Sequence, residues 1–255
     1  MSEPQLQTVR AAAFIAAAVV AVAVQRLAPH ARRRGSWQVN AGLWLINGAV
    51  VGTVCGGCAF TVAAWAAGAS IGLLNATHAD LWFAVPTAVV GLDLVSYGWH
   101  RANHRVPFLW RMHRVHHSDP SFTVSTGVRF HPAELVLALP VRLAAVVLLG
   151  APVVGVLVFE AVFSLANLLE HGDINVPRAV EPVLGHVVVT PALHRRHHTK
   201  LGSDRDSNFG TIFAVWDRVF ATYRASDSTR EIETGLAGLA GHVSLGFALM
   251  LPLQR

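Results

Sequence analysis

The sequence predicts an all-α fold, an integral membrane helical bundle of about four to five transmembrane helices. Three observations carry that expectation. Of 255 residues, 53% are hydrophobic and only 14% are charged, with a mean hydropathy of +0.46. Soluble domains carry about 25% charged residues, so a water-soluble globule is disfavoured and a disordered chain is excluded. Uncharged stretches exceed the roughly 20 residues that one crossing needs. The arginines sit in short clusters beside those stretches, the pattern of cytoplasmic loops, so the net charge of +5 does not indicate nucleic-acid binding.

The first apolar run, Ala11 to Val24, lies between Arg10 and Arg26 with no good small-x-small cleavage site after it. It reads as an uncleaved anchor or interfacial helix rather than a removed signal. From Gly35 to Ala79 there is no Asp, Glu, Lys or Arg, and Gly48, Gly52 and Gly56 repeat every four residues. Such a ladder is expected to let another helix approach. Cys55 and Cys58 form a CGGC, read as small residues packed in a helix because no strand-to-helix context surrounds them. The next apolar segment, Leu81 to Trp99, holds one charge, Asp93. The Arg26 to Arg34 loop and the Arg-rich His100 to Arg129 region are both expected to be cytoplasmic, so an even number of crossings joins them, and two fit. Leu135 to Leu169 is apolar apart from Arg142 and Glu160, and Gly150, Pro152 and Gly155 interrupt it, which predicts a helical hairpin. The placement of the last apolar stretch, Leu236 to Leu253, is open. A single lysine, Lys200, among 20 basic residues suggests a GC-rich bacterial source and hence the bacterial inner membrane.

Against this apolar background, 11 of 14 histidines fall between His100 and His198. HRANH sets His100 and His104 at i and i+4, about 40° apart on a helix. Tyr97 and Asp93 extend the same stripe backwards, and Asp93 is expected to accept the free ring N–H of a ligating histidine. HRVHH (His113, His116, His117) and HRRHH (His194, His197, His198) each spread three rings over an arc of about 100°. The adjacent pair splays to either side of the first ring, a geometry that can feed two metals at once. Neutral imidazole is the commonest metal-binding side chain, and this combination is hard to reach by chance. In NLLEHGD, His171 is a further candidate ligand, and Asn167, one turn earlier, is expected to hydrogen-bond a ligand rather than bind metal. His131, in RFHPAE, either lines the site or pairs with Glu134 at a helix start. His30, His78, His186 and His242 are isolated and stay outside the site. Few carboxylates lie near the clusters, so a two-metal site here is imidazole-rich, unlike the glutamate sets of soluble di-iron bundles. Imidazole suits iron, zinc, copper and nickel alike.

In this order, HRANH, HRVHH, NLLEH and TPALHRRHHT followed by DSNFGTIFAVWDRVFATY resemble the fatty acid hydroxylase and sterol desaturase superfamily, membrane-bound histidine-rich di-iron enzymes. The NxxxH element also resembles the membrane alkane monooxygenases. The resemblance covers roughly Asp93 to Tyr223. It implies that His100, His104, His113, His116, His117, His171, His194, His197 and His198 bind two iron ions. It implies O2 as co-substrate, and hydroxylation or desaturation of a C–H bond in a lipid such as a fatty acyl, sterol or isoprenoid compound. The chain then divides into N-terminal transmembrane helices (1–90), a catalytic region (91–225) and an apolar tail (226–255). No substrate-binding residue transfers.

No GxGxxG is present, and HPAE lacks the two glycines of a cytochrome b5 haem motif. Electrons are therefore expected from a separate ferredoxin, cytochrome or reductase docking on the arginine-rich face. Two other readings stay open: a non-oxidative lipid enzyme using zinc, and a membrane metal-binding or transport protein. The second expects ligands at mid-membrane depth, as transporters have, whereas these histidines lie in Arg-flanked segments.

Overall fold

A computed structural model describes residues 1–33, 35–55, 58–225, 232–239 and 241–254. Among them the chain is helical, with isolated β-bridges and no strand. Five stretches are long and apolar enough to cross a membrane. The first is α1 (Glu3–Leu27). The second combines α2 (Trp37–Cys55), α3 (Cys58–Gly68) and the single turn α4 (Leu73–Ala76). Then come α5 (Leu81–Arg105), followed by the short amphipathic α6 (Pro107–His117), and the hairpin of α7 (Pro132–Leu149) and α8 (Val153–Glu170). Short helices complete the chain: α9 (Glu181–Val187), α10 (Pro191–His197), α11 (Gly202–Arg205), α12 (Val215–Val219) and α13 (Leu245–Met250).

Local chemistry sets the ends. Gln5 returns its side chain to Ser2 N at 2.8 Å and opens α1. At the hairpin, Gly150 closes α7 at φ +63°, a conformation open to glycine at little strain, and Pro152 starts α8 two residues later. The central helix is α5, which packs on α7 and α8 through Leu92, Ala145, Val146, Val156 and Phe159. A Cβ on Gly155 would meet Ala88 Cβ at 3.0 Å, so α5 and α8 approach closely there.

The Gly48–Gly52 ladder behaves differently. Nothing lies within 4 Å of a Cβ built at either residue, because this face of α2 looks outward with Trp44 and Leu45. Gly56 and Gly57 of the CGGC lie outside the described residues, as does Arg34.

Both arginine-rich segments reach the same end of the bundle. Asp173, just past α8, accepts the backbone N–H of Ala31 at 3.1 Å and of Arg33 at 2.9 Å, beyond the C-terminus of α1. Ser36 and Asn40, at the start of α2, donate to Asp119 beyond α6 at 3.0 and 2.9 Å. The C-termini of α1, α5 and α8 and the N-termini of α2 and α7 therefore share one end, and every histidine cluster gathers there. The C-terminal apolar stretch folds onto that end as well, with Ala248 and Leu251 packed on Leu43 and Val115.

Candidate metal centre

Nine histidines converge in two groups, buried except for the partly buried His100 and His104. One holds His100, His104, His113, His117 and His197; the other holds His116, His171, His194 and His198. Within each group the candidate ligand nitrogens all lie within 4.8 Å of one another. Helix geometry divides the HxxHH motifs. On α6, His113 and His117 point to the five-histidine group while His116, one residue and about 100° away, points to the other. On α10 the arrangement is reversed: His194 and His198 join the four-histidine group and His197 the five. The end of α5 adds His100 and His104 to the first group, and His171, capping α8, joins the second.

Five of these rings are oriented by acceptors at Nδ1. His100 meets Phe209 O at 2.9 Å, His113 meets Glu134 Oε1 at 2.8 Å and His197 meets Ser207 O at 2.7 Å. His116 meets Arg129 O at 3.2 Å and His171 meets Asn167 O at 2.6 Å. An acceptor at Nδ1 keeps the proton there and turns the Nε2 lone pair inward, the arrangement that metal-ligating histidines use. Accordingly Nε2 of His100, His113 and His197 is buried without a hydrogen-bond partner among the described residues, and both nitrogens of His117 and His198 are too. Burial, reinforced by neighbouring rings, holds His116, His117, His194 and His198 well below the ordinary imidazole range. It brings His171 to about 4 and His197 to about 3. Neutral imidazole is the form that binds metal.

Two sets of girders hold these acceptors. Arg129, fully buried, reaches Val115 O, Asn40 Oδ1 and Ser118 Oγ at 2.9, 2.8 and 2.8 Å, fixing the strap whose carbonyl meets His116. Burial alone would raise the Asp119 carboxyl, but Arg129 and donors from Asn40, Ser121 and Thr126 hold it below the usual range. On the other side, Asp217 accepts from Phe209 N at 2.7 Å and Gly210 N at 2.9 Å. The WDRVF segment thereby shapes the loop that offers Ser207 O and Phe209 O to His197 and His100.

Asp93 belongs to this second set, which corrects the sequence expectation. Its carboxylate accepts from Ile212 N, Phe213 N and Trp216 Nε1 at 3.1, 3.1 and 2.8 Å, and from no histidine among the described residues. The stripe is shared with His100, but seven residues are about 10.5 Å of helix, which leaves Asp93 deeper in the bundle. Tyr97 on the same stripe bonds Thr222 Oγ1 at 2.9 Å. His131 is also outside both groups. It caps α7 through Ala133 N at 3.2 Å, with its Nε2 at Leu249 O, and Glu134 serves His113 instead. Asn167 meets its ligand candidate through the backbone carbonyl, while its side chain donates to Gly127 O at 2.7 Å.

A cavity of about 200 Å³ opens between α5, α7 and α8. Its walls are apolar, with Leu92, Leu135, Ala138, Phe159 and Phe163, and one end is formed by His100, His113, His116, His171 and His194. Glu170 lines it too, with Oε2 3.8 Å from His194 Nδ1.

These features define a class: a helical integral membrane protein with an imidazole-rich centre, able to hold metal, at the end of an apolar chamber. Residues 85–222 match the family described as fatty acid hydroxylase, more than half of the chain, and the protein belongs to that family. It is 32% identical to an ornithine lipid hydroxylase of Rhizobium tropici over 181 residues, covering 69% of this chain and 53% of that protein. Human alkylglycerol monooxygenase is 28% identical, covering 57% of this chain and 31% of that one. Human cholesterol 25-hydroxylase is 27% identical, covering 52% and 48%. The chain thus spans about half the length, or less, of these curated relatives. No solved structure matches it.

Proposed function

We propose that the protein is an O2-dependent di-iron oxygenase that hydroxylates a C–H bond of a membrane lipid, with the nine histidines as the ligands. One observation carries the reading. Nε2 of His171 lies 3.0 Å from Nε2 of His116 and 2.9 Å from Nε2 of His194. With the Nδ1 protons of His116 and His171 committed to carbonyls, their Nε2 lone pairs face each other, an arrangement that repels unless a cation lies among them. The donor set fits iron, the metal that the family implies, and it would be shared as five nitrogens and four. Bound there, iron supplies O2 activation and the oxidising power that an unactivated C–H bond requires.

The chain supplies the rest. Backbone carbonyls and Glu134 fix the rings, and the apolar chamber admits hydrocarbon and excludes water, which shields an oxidising centre from side reactions. The names of the three relatives, for an ornithine lipid, an alkylglycerol and cholesterol, favour hydroxylation over desaturation and a lipid as substrate. The arginine-rich segments at the histidine end favour a cytoplasmic centre in a bacterial inner membrane. A separate acidic electron carrier would dock on that face, where Arg205 stacks on Trp110 and Trp110 lies 5.0 Å from the His104 ring.

The test is anaerobic purification followed by metal analysis, then incubation with lipid extract, O2 and a chemical reductant. Bound iron and a product heavier by one oxygen are expected. Absence of both contradicts the proposal, and product formed without O2 or reductant would favour the zinc reading.

A further inference from the structure

Charges stand inside the apolar hairpin with no role in holding the histidines. Arg142 Nη2 on α7 meets Glu160 Oε1 on α8 at 3.1 Å, and Arg10 Nε on α1 lies 3.9 Å from Glu160 Oε2. Two guanidiniums share one carboxylate, a net positive cluster within three candidate membrane spans. Ionisable groups at such depth are costly and mark binding paths. Arg142 Nε is a buried donor without a hydrogen bond among the described residues, so the guanidinium retains donor capacity, while Glu160 Oε2 lies nearest Arg10.

Its location is specific. Arg142, Phe163 and Asn167 line the chamber that ends at the histidines and also an outward groove of about 480 Å³ bordered by Arg10, Phe14 and Trp44. The Arg142–Glu160 pair therefore stands where the chamber adjoins the groove on the lipid-facing side. Along α7, Arg142 lies eight residues past Glu134, the partner of His113, which is about 12 Å of helix.

We propose that Arg142 is a substrate-positioning residue whose guanidinium holds the carboxyl-derived oxygen of an acyl lipid, a free carboxylate or an ester or amide carbonyl, while the hydrocarbon extends to the histidines. Guanidinium donors match such oxygens in geometry and charge. The subsite acts as a ruler: with the polar end held about two helical turns along α7 from Glu134, the carbon presented to the histidines lies within the chain and not beside its polar end. This rests on the histidine end being the oxidising centre, and binding can be read separately from oxidation.

The experiment is equilibrium binding of radiolabelled palmitate, methyl palmitate and hexadecane to the full chain in nanodiscs, alongside metal analysis and mapping of the product carbon. Arg142→Leu is expected to weaken palmitate about tenfold, methyl palmitate less, and hexadecane not at all, with bound metal retained. Arg142→Lys should restore part of the palmitate affinity, and Arg142→Leu should scatter the oxidised position. The double variant Arg142→Leu/Glu160→Leu should behave as the single one, since it removes the stranded carboxylate. Unchanged palmitate affinity, or equal loss for hexadecane, overturns the subsite. An Arg142-dependent preference for palmitate in a chain that oxidises no lipid keeps the subsite and rejects the enzymatic reading.

Discussion

The two histidine groups draw on the same two HxxHH helices, yet they meet different surroundings. The five-histidine group lies toward the polar surface: His104 Nδ1 is 3.4 Å from Asp206, itself 41% exposed, and Trp110 and Arg205 cover the ring. The four-histidine group is buried among aromatic rings, and three of its members face the apolar chamber. Phe130 stacks on His116 with centroids 4.6 Å apart, Phe122 lies 5.1 Å from His198, and Glu170 sits beneath His171 and His194. One local motif, read from either side of a helix, thus builds a centre with one half toward the polar surface and the other toward the apolar interior and its chamber. On the proposed reading, electrons arrive at the first and hydrocarbon reaches the second through the chamber.

Removing one proposed ligand from each half should have the largest effect. His116→Ala and His197→Ala should each lower lipid oxidation by at least about 100-fold, with the protein still inserted in the membrane, because ligands outweigh the partners that orient them. Wild-type turnover in either variant would remove that residue from the ligand set. A smaller perturbation sharpens the difference. Glu134→Ala strips His113 of its Nδ1 acceptor and should weaken metal binding about 10- to 100-fold in the five-histidine group, leaving the four-histidine group loaded. Equal loss from both groups would mean that the halves are not independent.

The histidines were legible because spacings of one, three and four residues map directly onto helix faces, and the apolar runs were legible as spans by length. What orients the rings was not. Phe209, Ser207, Arg129 and Asn167 act through backbone carbonyls, which every residue possesses, so no residue type announces them. Glu134 did carry a signal, a lone carboxylate in the first turn of an apolar helix, but its sequence neighbour His131 was the obvious partner, and only the fold brings His113 within 2.8 Å. Asp93 shows the converse: periodicity places a residue on the right face but says nothing of depth, and depth assigned it to the loop of Trp216. The chamber is formed by helices far apart in sequence, and no local pattern encodes it.

Two milder tests follow. In the metal-free protein, His171 and His197 stay neutral when folded to about 4 and 3, but the unfolded rings take up protons near 6.5. The unfolded state binds more protons between these values, so thermal stability should be fully present above pH 6.5 and fall as pH drops toward 4. A flat profile across that window would contradict the buried, neutral rings. Asn167→Ala is the smallest change. It removes the bond to Gly127 O but leaves the carbonyl that meets His171, so about 1 kcal/mol of stability should be lost with metal retained. Loss of metal in that variant would instead make the side chain itself a ligand.

On the proposed reading one chain holds two irons, one in each histidine group. Metal stoichiometry of anaerobically purified wild type, His104→Ala and His171→Ala tests it most directly. Two irons per chain are expected in the wild type and one in each variant, the remaining iron differing in spectroscopic signature between the two. Iron absent from the wild type, or lost completely from both variants with the fold intact, would contradict it.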